Sequence, residues 1–226
     1  MRRLAAPLAA LALLAGTACQ EPAIAAEKVV EAPAAKRVAK EGKGLKTAIF
    51  AGGCFWGVEA VFSHTRGVTS AVSGYHGGTA RQADYQLVSS GVTDHVEAVK
   101  VTYDPAVVRY DELLRIFFSV IADPTLKDRQ GPDRGAHYNA ELVPLSKEQR
   151  AVAAAYLAQM KASGKWSRPI VTDIVAAKTF YPAEAYHQDF AAKNPRHPYI
   201  VRWDAPKVAG LKRLYPSLYR AEFRRN

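Results

Sequence analysis

Cysteine is scarce in this chain. Two occur in 226 residues, Cys19 and Cys54. Cys19 lies in a leader-like N-terminal stretch, so the body of the chain keeps one thiol. One thiol cannot build an internal disulfide framework. No second cysteine stands three residues from Cys54, which excludes a CxxC disulfide oxidoreductase. Metal-ligand spacing is also missing. His64, His76, His95, His137, His187 and His197 are scattered, none at short ligand spacing from another His or Cys. No metal site is expected. The chain is basic, with a formal net charge of +10. No nucleic-acid motif accompanies that charge, which leaves solubility and a loose attraction to an anionic membrane surface. No apolar run reaches the roughly 20 residues that a spanning helix needs, and no internal repeat is visible.

The N-terminus begins Met1-Arg2-Arg3 and then runs apolar from Leu4 to Gly16. Charge, an apolar core and small residues make a secretory signal pattern, with cleavage after Ala23-Ile24-Ala25. Residues 1–25 are therefore expected to be a signal peptide, and the protein to be exported, in the periplasm. Lipid anchoring through Cys19 is the alternative. Against it, Gly16 stands where a lipoprotein signal usually carries Leu. Residues 26–45 are rich in Ala, Lys, Glu and Pro and read as a flexible linker. A catalytic domain is expected over 46–200, and a basic tail over 201–226 that either docks by its aliphatic side or frays.

The chain is organised around Gly52-Gly53-Cys54-Phe55-Trp56-Gly57. An apolar run, Ala48 to Ala51, precedes it, and Val58, Val61 and Phe62 follow at helical spacing. Strand, glycine turn, helix start is the implied layout. A cysteine there meets free backbone N–H groups and the positive end of the helix dipole, which lowers a thiol pKa. The other reading is a small buried cysteine at a strand–helix junction. In an oxidising compartment a lone thiol is a liability unless it is used.

Val68 to Tyr75 reads as a strand, followed by a glycine turn. His95 to Tyr103 alternates, with Glu97, Val99, Val101 and Tyr103 on one parity. Glu97 thus shares the apolar face, where desolvation raises a carboxyl pKa toward what a general acid needs. The competing reading is a strand-end Glu reaching water. A helix is expected over Leu113 to Ile121 and a strand near His137 to Val143. Ser146 with Gln149 forms a capping box for a helix to Met160. A strand over Ile170 to Val175 and a short helix from Pro182 to Phe190 complete the pattern. The order implies an α+β two-layer sandwich with a ferredoxin-like split βαβ core and C-terminal extensions. A Cys–His acyl-transfer dyad stays open, since no histidine is selected as partner. Tyr75 and Tyr138 lie in glycine-flanked turns, where two phenols near one thiol could donate hydrogen bonds to a substrate oxygen.

The Gly52–Gly57 stretch resembles the signature of the A-type peptide methionine sulfoxide reductases. The resemblance extends through Gly74-Tyr75, Asp94-His95-Val96-Glu97, Asp104-Pro105, Asp123-Pro124-Thr125, Arg129-Gln130-Gly131, Asp133 and Tyr138. It closes with Phe180-Tyr181-Pro182-Ala183-Glu184 and Tyr186-His187-Gln188. What it implies is reduction of methionine S-sulfoxide, free or in oxidised proteins. Cys54 would attack the sulfoxide sulfur and Glu97 would protonate the oxygen. Tyr75 and Tyr138 would hydrogen-bond that oxygen. Phe55 and Trp56 would hold the S-methyl group, and Asp133 would organise the pocket. No bound cofactor is implied. A Cys54 sulfenic acid would be re-reduced by an external thiol, thioredoxin-like or small, because the C-terminal resolving cysteine of many relatives is absent. Asp94, His76 and Asn139 depart from the usual pattern and bear on substrate preference. The alternatives are a peroxide-reducing thiol protein and a non-catalytic sulfoxide-binding module.

Overall fold

The computed structural model describes residues 29–225. The expected signal peptide and Cys19 lie outside the described residues. Eight strands and six α-helices follow in order among the described residues. They are β1 (Lys46–Gly52), α1 (Phe55–Ser63), β2 (Val68–His76), α2 (Tyr85–Ser89), β3 (Val96–Tyr103) and α3 (Tyr110–Ile116). Then come β4 (Arg129–Gln130), β5 (Asp133–Arg134), β6 (Ala140–Val143), α4 (Lys147–Ala162), β7 (Asp173–Ile174), β8 (Phe180–Pro182), α5 (Phe190–Lys193) and α6 (Ala205–Leu214).

The main sheet runs β7-β6-β1-β3-β2-β8. Strand β3 pairs antiparallel with both β1 and β2, and β6 pairs antiparallel with β1. A strand inserted between β1 and β2, with α1 as their crossover, is the split βαβ unit the sequence implied. One face of the sheet, with Phe50, Val99, Val101 and Tyr103, packs on Val58, Val61 and Phe62 of α1 and on Leu113, Leu114 and Phe117. The opposite face carries a smaller cluster, Ile49, Ala51, Val96, Ala98 and Val143, against Val175 and Phe180. Helix α3 widens into a π turn over Phe117–Ile121, where the Ala122 N–H donates to the Phe117 carbonyl at 3.0 Å. Asp123-Pro124 ends it.

Several expectations need correction. The segment from Phe180 to Pro182 is an edge strand on β2, not a helix start. Proline is tolerated at a sheet edge, and the pairing continues as the Ala183 N–H donates to the Ser73 carbonyl at 2.9 Å. The expected Ile170–Val175 strand shrinks to Asp173–Ile174, because the Val171 N–H goes to the Pro124 carbonyl at 2.8 Å. The first residues of the expected 137–143 strand form a 3₁₀ turn, Ala136–Tyr138. At α4 only half the capping box forms: the Ser146 hydroxyl accepts from the Gln149 N–H at 3.1 Å, while the Gln149 Oε1 accepts from Leu145 instead.

The described part of the expected linker, from residue 29, is a docked strap. Ala32 and Ala39 are buried. The Ala32 N–H donates to the Ser119 Oγ and the Ala39 N–H to the Asp111 Oδ1, each at 2.9 Å. The Tyr156 hydroxyl donates to the Pro33 carbonyl at 2.7 Å. The strap carries no core of its own. It borrows the domain's, using small side chains and backbone groups that a count of large apolar residues overlooks. The C-terminal segment docks as well. Leu211 and Tyr215 are buried, and the Arg220 guanidinium donates to the Ser63 and Val68 carbonyls at 3.0 and 2.9 Å. The ordered body therefore extends well past residue 200.

Candidate active site

Cys54 is the N-cap residue of α1 and is half-buried. Two glycines bring it there. A Cβ on Gly52 would lie 2.7 Å from the Phe117 ring, and one on Gly53 would lie 2.5 Å from the Gln130 Cβ. Gly53 also has φ +86°, a left-handed conformation that favours glycine. Gln130 is fixed in turn, accepting from the Asp123 N–H at 3.1 Å and donating to the Asp123 carbonyl at 2.9 Å.

Glu97 projects from β3 beneath the start of α1 and is almost fully buried. Its Oε2 accepts the Phe55 N–H at 2.9 Å, so Glu97 occupies a free donor at the helix N-terminus. Burial pushes its carboxyl up to about 8; the Phe55 N–H opposes that shift and the charges of Asp133 and Asp204 add to it. Near neutral pH the group holds a proton that it can deliver.

The thiol departs from expectation. Burial pushes Cys54 well above the usual thiol range, and Glu97, Asp204 and Asp133 reinforce the shift, against one favourable Trp56 N–H. Burial, with the neighbouring carboxyl groups adding to it, outweighs the dipole. Cys54 rests as a thiol beside an acid.

Tyr75 has a partner inside the protein. It lies opposite Glu97 across the β2–β3 ladder, yet its hydroxyl donates to the Glu184 Oε2 at 2.8 Å. That donor is spent on a carboxylate. Tyr85, at the start of α2, is held by the same carboxylate, its N–H donating to the Glu184 Oε1 at 2.9 Å. Burial raises both Tyr85 and Tyr138, and both lie near enough to Glu97 and Cys54 to couple with them electrostatically. Tyr85 is pushed up to about 12, so it remains a donor at any working pH. A third phenol, Tyr199, donates to the Asp133 Oδ2 and meets the Trp56 ring edge-on at 5.9 Å.

Trp56 is half-buried, and its indole N–H donates to the His187 Nδ1 at 3.0 Å. That contact leaves the proton of a neutral His187 on Nε2. Phe190 stacks on Trp56 at 3.7 Å with ring planes 5° apart. Phe55 is buried behind this wall, its ring 4.9 Å from His187 and 5.9 Å from Tyr75. Sequence reasoning thus placed Cys54, Glu97, Tyr138, Trp56 and Asp133 in one site, with Phe55 as backing. It missed Tyr85, Tyr199 and Asp204. Asp84, which caps α2 by accepting from Gln86 and Leu87, was the available signal for Tyr85.

A thiol, a buried protonated acid, phenolic donors and an aromatic wall are the parts of a thiol-dependent reductase site on an α+β sandwich. Residues 46–215 match the family model of peptide methionine sulfoxide reductase, and the chain belongs to that family. A peptide methionine sulfoxide reductase MsrA 2 from Mesorhizobium japonicum is 51% identical over 180 residues, 80% of this chain and 92% of the relative. One from Synechocystis is 45% identical over 82% of this chain and 86% of its own length. Among solved structures, reduced Mxr1 from Saccharomyces cerevisiae superposes with a TM-score of 0.62 at 32% identity, covering 72% of this chain and 92% of that one. Methionine sulfoxide reductase A of Corynebacterium diphtheriae gives 0.57 at 32% identity, covering 68% and 77%.

Proposed function

We propose that this chain reduces the S-sulfoxide of methionine, free or in oxidised proteins, to methionine. The observation that carries the mechanism is the Glu97 carboxyl held on the Phe55 N–H at the start of the helix that Cys54 caps. Glu97 delivers its proton to the sulfoxide oxygen while the Cys54 sulfur attacks the sulfoxide sulfur. The oxygen passes to Cys54. A thiol and a sulfoxide become a sulfenic acid and a thioether, and two electrons move from the Cys54 sulfur to the substrate sulfur. Tyr85 and Tyr138 donate hydrogen bonds to the oxygen as charge develops on it. Trp56 receives the S-methyl group.

Cys54 is the sole cysteine among the described residues. The reading that follows is reduction of the sulfenic acid by an external thiol, through a mixed disulfide resolved by a second thiol. A thioredoxin-like protein or a small dithiol has the required chemistry. The leader over 1–25 supports export to the periplasm. Intact-mass analysis of the protein from its native host tests that step, and a soluble form retaining Met1 would refute it. The function itself is tested by turnover of methionine S-sulfoxide against hydrogen peroxide with dithiothreitol as donor. Preferential turnover of the sulfoxide supports the proposal; a preference for peroxide overturns it.

A further inference from the structure

Glu59 is a fully buried carboxyl that the reaction does not use. It stands on α1 three residues beyond Trp56, one helical turn deeper. Its two oxygens accept the Asp189 N–H at 3.1 and 3.0 Å. Ser73, Lys193 and the Asp189 carboxyl also face it.

The residue it grips is unusual. Asp189 has φ +54° and ψ +29°, left-handed values at a non-glycine position. Such a conformation costs on the order of 1–3 kcal/mol and persists only when its surroundings impose it. Asp189 lies between the two residues that clasp Trp56. His187 accepts the indole N–H at 3.0 Å, and Phe190 stacks on the ring at 3.7 Å. Gln188 is pinned separately to β2, where it accepts from the Ser73 N–H at 3.0 Å and donates to the Ser73 carbonyl at 2.9 Å. Every residue from His187 to Phe190 thus has its own anchor, and Glu59 supplies the one at the strained position.

We propose that Glu59 is a positioning residue for substrate: through the Asp189 N–H it fixes the turn that holds Phe190 and His187 against Trp56, and so sets the wall that receives the S-methyl group. One helix then carries the pocket wall and the anchor of its clasp. Glu59 does not touch substrate. Its loss frees Asp189 to relax out of the left-handed region, which tilts Phe190 and loosens Trp56. Substrate binding should suffer while the Cys54–Glu97 pair stays in place. The proposal rests on the reading of Trp56 as the substrate wall.

The test compares Glu59→Ala, Glu59→Asp and Glu59→Gln with wild type in methionine sulfoxide turnover. Ala removes the acceptor. Asp keeps a carboxyl but withdraws it by one methylene. Gln keeps an oxygen at the right reach. The expectation is a KM raised about tenfold in Ala and several-fold in Asp, kcat within about threefold, and Gln close to wild type. A buried residue with only a structural role would lower the active fraction and hence kcat, leaving KM unmoved. That outcome overturns the proposal, as does a Gln variant as impaired in KM as Ala. If the Ala variant does not fold, Glu59→Asp decides alone, and an unchanged KM refutes the idea. Inactive wild-type protein would sink the functional reading itself. Active wild type with unaffected variants would sink only the role given to Glu59.

Discussion

Glu97→Gln should make the protein both slower and more stable. Glu97 has a carboxyl pushed from an ordinary 4.5 to about 8 by burial. The unfolded chain therefore ionises it at neutral pH while the folded one does not. One pKa unit corresponds to about 1.4 kcal/mol, so at pH 7 the cost to folding is roughly 3 kcal/mol. Glutamine avoids that cost and still accepts the Phe55 N–H through its carbonyl. Its amide N–H₂ must find partners in the site, which returns about 1–2 kcal/mol. The net gain is about 1–2 kcal/mol, or a Tm higher by about 2–8 °C. The sign with pH follows from the raised value. The penalty is absent below about 4.5, grows as pH rises, and levels off above about 8. The gap between variant and wild type should widen over that interval. The same variant should lose about 10²–10⁴-fold in kcat, because glutamine has no proton to deliver. Wild-type kcat should fall on the alkaline side as Glu97 ionises. Thermal melts from pH 5 to 9, run beside steady-state kinetics, check both arms. A variant less stable than wild type across that range, or within a few-fold of its kcat, would refute the reasoning.

Other outcomes follow from the same geometry. Tyr85→Phe and Tyr138→Phe should each lower kcat by about tenfold, whereas Tyr75→Phe should chiefly lower Tm, since its hydroxyl serves Glu184; kinetics and melts on the three variants separate these effects. Removing residues 1–43 should cost about 2–4 kcal/mol in denaturant unfolding by abolishing the strap's hydrogen bonds, with turnover per folded molecule retained. Burial raises Glu59 to about 8 as well, so Glu59→Gln should reduce the loss of stability that wild type suffers as pH climbs from about 4.5 to 8; melts at pH 6 and 9 check it.

Much of this arrangement was legible in the sequence, for identifiable reasons. Alternation along β3 put Glu97 on the core face, and burial there raised its pKa as expected. The glycine pair before Cys54 marked the strand–helix junction because a side chain at either position would strike Phe117 or Gln130. What escaped depended on contacts distant along the chain. Burial first, then Glu97, Asp204 and Asp133, reverses the influence of the helix start on Cys54, and nothing local announces that burial or the two aspartates. Glu184, far along the chain, accepts both the Tyr75 hydroxyl and the Tyr85 N–H, a link between the two tyrosines that no local pattern shows. The strap was misread because small residues and backbone groups hold it, while composition weighs large side chains.

The central claim is a cycle that runs on one thiol. It is tested most directly by exposing the reduced, mature protein to excess methionine S-sulfoxide without reductant. The released methionine is counted, and Cys54 is trapped with a sulfenic-acid reagent. The account predicts about one methionine and one adduct per chain, located at Cys54, and neither product from Cys54→Ser. Two methionines per chain, an intramolecular disulfide, or turnover by Cys54→Ser would contradict it.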